Sequence, residues 1–163
     1  MAEAVREVRG LLIPLQGMRL VLPDSVILQI LTGGDVEPLD EAPSWMLGIL
    51  TWQKRRIPVL SFELAANQQY EQEAEPRILV LKALNNIEKM PFYAITLAGI
   101  PRPYRINEEN IKVVENAGRS SPLILNEVLV EGEPTSIPNI EAVEEMLFNQ
   151  YGLFSQESDE TAA

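Results

Sequence analysis

The sequence predicts an all-β fold, a barrel or sandwich, with one helix at its C-terminal end. Three observations predict it. The apolar residues fall in short runs, rich in Val, Ile and Leu, of strand rather than helix length. Glycine, proline and asparagine separate these runs at close intervals, as turns require. Helical spacing occurs in one segment, from Ile140 to Tyr151.

The elements follow in order. Leu11 to Leu15 and Met18 to Leu22 flank Gln16-Gly17, a two-residue hairpin turn. Val26 to Leu31 is closed by Gly33-Gly34, and Asp35 to Pro43 is an acidic, proline-containing connection. Gly48 to Trp52 and Ile57 to Phe62 are two strands, with the polar residues Gln53 to Arg56 forming the tip between them. Ala65 to Pro76, rich in Gln and Glu, reads as a long exposed excursion. Arg77 to Ala83 and Phe92 to Leu97 are strands around Asn85-Asn86. Tyr104 to Ile106 and Ile111 to Val114 are weaker candidates. Leu123 to Leu125, Val128 to Val130 and Thr135 to Ile137 complete the strands. In the final helix Ile140, Val143, Met146, Leu147 and Tyr151 form the apolar face, Asn139 caps it, and Glu141, Glu144 and Glu145 sit where the helix dipole favours acids. Glu144 and Glu145 are assigned to its solvated side. Residues 8–150 are expected to form one domain, and 151–163 an acidic, disordered tail.

Composition excludes several function classes. The 163-residue chain carries 24 acids and 13 bases, a formal charge of −11, so nucleic acid is not the expected partner. It has neither cysteine nor histidine, which removes disulfides, thiolate metal sites and the commonest general base. Ser25, Ser61 and Ser120-Ser121 have no histidine to activate them. Lys54, Lys82, Lys89 and Lys112 show no spacing that marks a catalytic base. Glu71, Glu73 and Glu75 alternate in a loop, a weak signal for a hard cation. No glycine-rich phosphate loop occurs. The chain is therefore expected to be no enzyme and to hold no cofactor or metal. It has no apolar stretch of membrane-spanning length and no signal core, so a soluble cytoplasmic protein is expected, without membrane insertion. Trp45, Trp52, Phe92, Tyr93 and Tyr104 read as core, with lining of a binding groove as the other reading.

Gln53, Lys54, Arg55 and Arg56 interrupt an otherwise apolar segment. They are either a plain turn or a contact surface on a rigid hairpin, and a basic tip on an acidic protein would steer an acidic partner. Gly48-Ile49-Leu50-Thr51-Trp52 followed by Ile57-Pro58-Val59-Leu60 resembles the hairpin motif of the CheW-like chemotaxis coupling proteins. Val21-Leu22-Pro23 and Ile27-Leu28-Gln29-Ile30 look like that family's upstream strand, and the resemblance runs from about Gly10 to Gln150.

The resemblance implies two interlocked SH3-like five-stranded β-barrels with a C-terminal helix. It implies a non-catalytic adaptor that joins the cytoplasmic tip of a chemoreceptor to the regulatory domain of a CheA-type histidine kinase. The interaction residues it marks are Ile27, Gln29, Ile30, Gly48, Trp52, Gln53, Lys54, Arg55 and Arg56. The family's Arg-Gly pair is Gln53-Lys54 here, and the acid of its upstream strand is Gln29. These departures are similar to what a divergent member in a pilus-linked, twitching-motility system would carry. The other reading is a generic SH3-like module that binds peptides or a small ligand.

Overall fold

The computed structural model describes residues 7–73, 75–85, 88, 90–114 and 121–161, with 152–161 described by backbone alone. Of the residues singled out above, Asn86, Lys89, Ser120 and the last two positions lie outside this set.

Twelve strands among the described residues form two six-stranded sheets. The chain begins with β1 (Val8–Leu15) and β2 (Met18–Pro23), paired antiparallel across Gln16-Gly17, with Gly17 at φ 72°. A 3-10 turn at Asp24–Val26 leads to β3 (Ile27–Thr32). Then come β4 (Val36–Glu37), β5 (Met46–Trp52), β6 (Arg55–Leu60), a short helix α1 (Phe62–Ala65), β7 (Arg77–Lys82) and β8 (Phe92–Leu97). The chain returns through β9 (Arg102–Ile106), β10 (Ile111–Val113), β11 (Ile124–Val130) and β12 (Glu133–Pro138), and ends in α2 (Ile140–Thr161).

The first sheet has the order β10-β11-β12-β2-β1-β9 and the second β3-β7-β8-β6-β5-β4. Both ends of the chain therefore build one sheet, and the middle builds the other. Each sheet contains one parallel contact, β12 with β2 and β6 with β8. The fold is the mainly β, two-barrel arrangement expected, with six strands per sheet rather than five. The additional members are short: β4 has two residues and β10 three.

The core has three parts. Leu50, Ile57, Val59, Ile78, Val80 and Ala94 fill one curled sheet, and Leu12, Val21, Val128 and Val130 the other. Between them lies the largest cluster, where Ile13, Leu20 and Leu22 of the first sheet meet Leu60, Leu79, Leu81 and Tyr93 of the second. Helix α2 closes it with buried Val143 and Leu147, while Ile140, Met146 and Tyr151 pack at its margin. Asn139 caps this helix by accepting the Ala142 N–H at 3.2 Å. Burial of these side chains, at about 25 cal/mol per Å² of apolar surface, holds the two sheets together.

Several local expectations are corrected. The hairpin tip is Gln53-Lys54 alone, because Arg55 and Arg56 continue β6 opposite Trp52 and Thr51. Leu123 to Val130 does not hold two strands: β11 runs unbroken from Ile124, with a register shift around Leu125 that points this residue outward, 45 % exposed. The excursion after α1 is largely exposed, as expected, but begins later, since Ala65 ends α1 and Ala66 is buried; the Gln16 side chain brackets its Glu71 backbone, donating to the carbonyl at 2.8 Å and accepting from the N–H at 2.7 Å. Helical backbone runs on from Ile140 through Thr161. No proline stops it, and Gly152 costs only about 1 kcal/mol in a helix.

Glu144 is the clearest correction. Expected on the solvated face, it is fully buried. Its carboxylate accepts the Leu84 N–H at 2.9 and 3.1 Å and the Asn85 N–H at 2.9 Å. Two backbone donors at the end of the β7 region draw the side chain inward and offset its desolvation. The Tyr93 hydroxyl pKa is pushed upward by that residue's own burial, with the Glu144 charge adding to the effect.

Candidate functional site

The β5–β6 hairpin turns on two residues with left-handed backbone, Gln53 at φ 48° and Lys54 at φ 65°. This is the twist that two-residue hairpins need, here without the Asn or Gly that usually supplies it. Trp52 and Arg55 face each other across the turn and diverge in fate. Trp52 is buried and donates its indole N–H to the Gln29 side-chain oxygen at 2.8 Å. That bond joins β3, at one end of the sheet order, to β5 near the other, so the sheet curls into a barrel.

Phe92 of β8 packs edge-on against Trp52, with centroids 5.2 Å apart and planes at 68°. The Arg55 guanidinium lies over the same Phe92 ring, 5.4 Å from its centroid. Arg56 makes an exposed ion pair with Glu37 of β4 at 3.3 Å. The Tyr151 hydroxyl, from α2, donates to the Arg56 carbonyl at 2.9 Å. Arg55, Arg56, Met90, Phe92 and Tyr151 surround an open cleft of about 320 Å³, with Glu88 on its rim.

The structure brings Gln29, Trp52, Gln53, Lys54, Arg55 and Arg56 to one end of the second sheet. Gly48 is also in β5 but is buried. At φ 153° it lies where an added Cβ would collide with the Glu37 carbonyl oxygen, so its role is to let β4 approach β5. Ile27 is half-buried and packs against the shared core, whereas Ile30 is 40 % exposed. Sequence reasoning misses Leu28 as a site residue. It is 42 % exposed because the β3–β7 register shifts between Ile27 and Gln29, placing three consecutive residues toward solvent. The helical spacing puts Tyr151 on the core face of α2, and no sequence signal joins it to Arg56.

Two of the candidate nucleophiles, Ser61 and Ser121, have structural duties. Ser61 is buried at the start of α1, where its hydroxyl accepts the Leu64 N–H at 3.2 Å and lies 3.4 Å from Glu63. Ser121 is buried and accepts the Leu123 N–H at 3.1 Å. Glu63 is buried, accepts the Gln16 N–H at 3.0 Å, and has its pKa raised chiefly by burial. Among the described residues no acid cluster is arranged to hold a metal ion. A larger cleft, about 650 Å³, opens on the first sheet beside Met18, Arg19, Val128 and Pro134. Its arginine is already engaged, with Thr135 Oγ1 and Glu133 at 2.9 Å and the Val130 carbonyl at 3.1 Å.

The interlocked sheets, the closing helix and the β5–β6 hairpin have a counterpart among known proteins. The chain belongs to the CheW-like domain family, which matches residues 9–146. Its fold is similar to that of the scaffolding protein TtCheW from Thermoanaerobacter tengcongensis, with a TM-score of 0.68 at 12 % identity, over 82 % of this chain and 90 % of that one. No curated protein matches the chain. No helix among the described residues is long and apolar enough to cross a membrane.

Proposed function

We propose that this chain is a non-catalytic adaptor of a chemosensory system, joining a chemoreceptor tip to the regulatory domain of a CheA-type histidine kinase in the cytoplasm. The observation that carries this reading is the family match over residues 9–146, which takes in both sheets and the first turns of α2. Residues 8–150 form the docking unit in this reading, and the acidic 151–163 segment is an appendage. Membership in a twitching-motility pathway belongs to the same proposal and rests on Gln29 and Gln53-Lys54, where the family motif carries charge or glycine.

The surface chemistry supports docking. Leu28 and Ile30 are exposed on β3, a strand at the end of its sheet order, and such an edge offers apolar anchors with unpaired backbone groups. Lys54, Arg55 and Arg56 lie close to the same barrel end and supply long-range attraction on an acidic chain. Trp52, mostly buried, supports this surface from beneath.

The test is kinetic binding to a kinase regulatory domain and to a receptor-tip fragment at low and high salt. Charge reversal at Arg56 should slow association and weaken its salt dependence. Leu28→Asp together with Ile30→Asp should speed dissociation, with hot-spot losses of about 2 kcal/mol or more. Gln53→Arg should strengthen binding if the hairpin docks in the family manner. Failure of both fragments to bind either the native chain or Gln53→Arg would leave a CheW-like fold serving some other peptide or ligand.

A further inference from the structure

The basic residues of the hairpin are not equivalent. Arg56 already has Glu37, and Lys54 projects from the turn with no fixed partner among the described residues. Arg55 is exposed, yet its guanidinium is held over Phe92, which is itself braced by Trp52. Among the described residues no carboxylate pairs with Arg55, in a chain that carries 24 acids. A guanidinium stacked on a ring keeps its fork of donors directed outward and loses little freedom when those donors are used. Beside it, the 320 Å³ cleft is lined by Phe92, Tyr151 and Glu88, with fully buried Met90 behind them. The site therefore combines an oriented cation, without a carboxylate partner among the described residues, with a small recess of mixed polar and apolar lining.

The geometry points to a docking site for an acidic protein segment in which a carboxylate side chain is followed by an apolar one. The carboxylate engages the Arg55 fork, and the apolar side chain lies in the recess against Phe92. Charge complementarity selects this occupant. The rest of the chain repels acidic segments, so one of them gains at residues 54–56 only if the cations there dominate locally. Glu37 engages Arg56, which leaves Lys54 and Arg55 as the hairpin cations without a carboxylate partner among the described residues. The cleft is too small for a helix, whose diameter with side chains is about 10–12 Å, and fits a single side chain. This inference rests on reading the hairpin end as a docking surface and assigns the feature of the partner it recognises.

The probe is a blocked hexapeptide alternating leucine with glutamate, titrated into the full chain and followed by backbone-amide NMR. Its glutamine analogue and inorganic phosphate serve as comparisons. The expected result is shifts at Arg55, Phe92 and Tyr151, with binding of the glutamate peptide only. Arg55→Ala should weaken it by on the order of tenfold or more, as loss of charge-assisted bonds does. Arg55→Lys should fall between, keeping the charge and losing the fork, and Lys54→Ala should cost about twofold. Phe92→Leu, with an unchanged fold by circular dichroism, should weaken binding by releasing Arg55. Equal binding of the glutamine analogue, equal binding by Arg55→Ala, or phosphate producing the same shifts would each overturn the proposal. The adaptor reading fails separately: if the kinase and receptor fragments do not bind while the peptide does, this site stands without it. If those fragments bind and Arg55→Ala changes neither them nor the peptide, the adaptor stands and this site falls.

Discussion

Glu144→Ala should be among the most damaging single changes in this protein, although the residue lies in a helix whose pattern marks it as exposed. The carboxylate is fully buried and holds two backbone N–H groups, those of Leu84 and Asn85. Alanine leaves both donors without their partner, at about 1–3 kcal/mol each when no substitute is found. The Leu84 and Asn85 side chains are exposed, so water reaches part of this corner and the lower half of that range applies. The expected loss is about 2–4 kcal/mol. Glutamine is a sharper probe. Both N–H groups reach Oε1 at 2.9 Å, so an amide oxygen placed there keeps both bonds. What disappears is charge assistance, and the new NH₂ group faces the Leu84 N–H that now lies 3.1 Å from Oε2. Glu144→Gln should therefore cost about 1–2 kcal/mol. The exposed neighbour Glu145 is the control, with Glu145→Ala within about 0.5 kcal/mol of the parent. Urea unfolding measures all three. With a slope of about 1–3 kcal/mol/M, the alanine variant's midpoint should fall by roughly 1–2 M. Equal midpoints for Glu144→Ala and Glu145→Ala would refute the inward placement of Glu144.

Gly48→Ala should destabilise by about 2–5 kcal/mol, from backbone strain at φ 153° and from collision with the Glu37 carbonyl. Amide exchange should show β4 detaching first, and a loss below about 1 kcal/mol would contradict the close approach. Lys54→Gly should stabilise the chain by about 1 kcal/mol, because glycine adopts the left-handed turn without the strain a side chain adds; thermal unfolding reads the change. Glu63→Gln should alter how stability depends on pH. Burial raises the Glu63 pKa in the folded state, so folding favours its protonated form, and the parent loses stability as pH rises from the ordinary carboxylate range through the raised value. The variant should lack this loss, and its stability relative to the parent should be greater at neutral pH than in the ordinary carboxylate range. Parallel pH profiles for the two proteins would contradict it.

The sequence was informative where local chemistry decides structure. Gln16-Gly17 between alternating apolar runs marks the first hairpin, and the Ile140 to Tyr151 spacing with Asn139 marks the closing helix. It was silent where distant partners decide. Arg55 and Arg56 look like loop residues, yet cross-strand pairing with Trp52 and Thr51 extends β6 through them. Leu28 looks like core, and the register shift beside it turns it outward. Glu144 looks like a surface acid until the Leu84 and Asn85 N–H groups, 60 and 59 residues earlier, are set against it. The Gln29–Trp52 bond is hidden for the same reason: two residues marked separately by family resemblance meet only when the sheet curls.

The path of the chain ties the candidate site to the integrity of the whole fold. One sheet is built from the two ends of the sequence, so the first sheet is not a contiguous unit that completes before the other. Helix α2 leaves the first sheet after β12 and reaches the second through Glu144 and Tyr151. Tyr151 is also a wall of the cleft beside Arg55. The hairpin site is thus assembled from β3, β5, β6, β8 and the last element of the chain. A change that loosens α2 removes one wall of the cleft and the anchor on the Arg56 carbonyl, even when it lies far from any partner. Binding losses in helix variants must therefore be set against the Glu145→Ala control and against unfolding midpoints. Only a loss of affinity without a matching loss of stability, as expected for Arg55→Ala, locates a contact rather than a support.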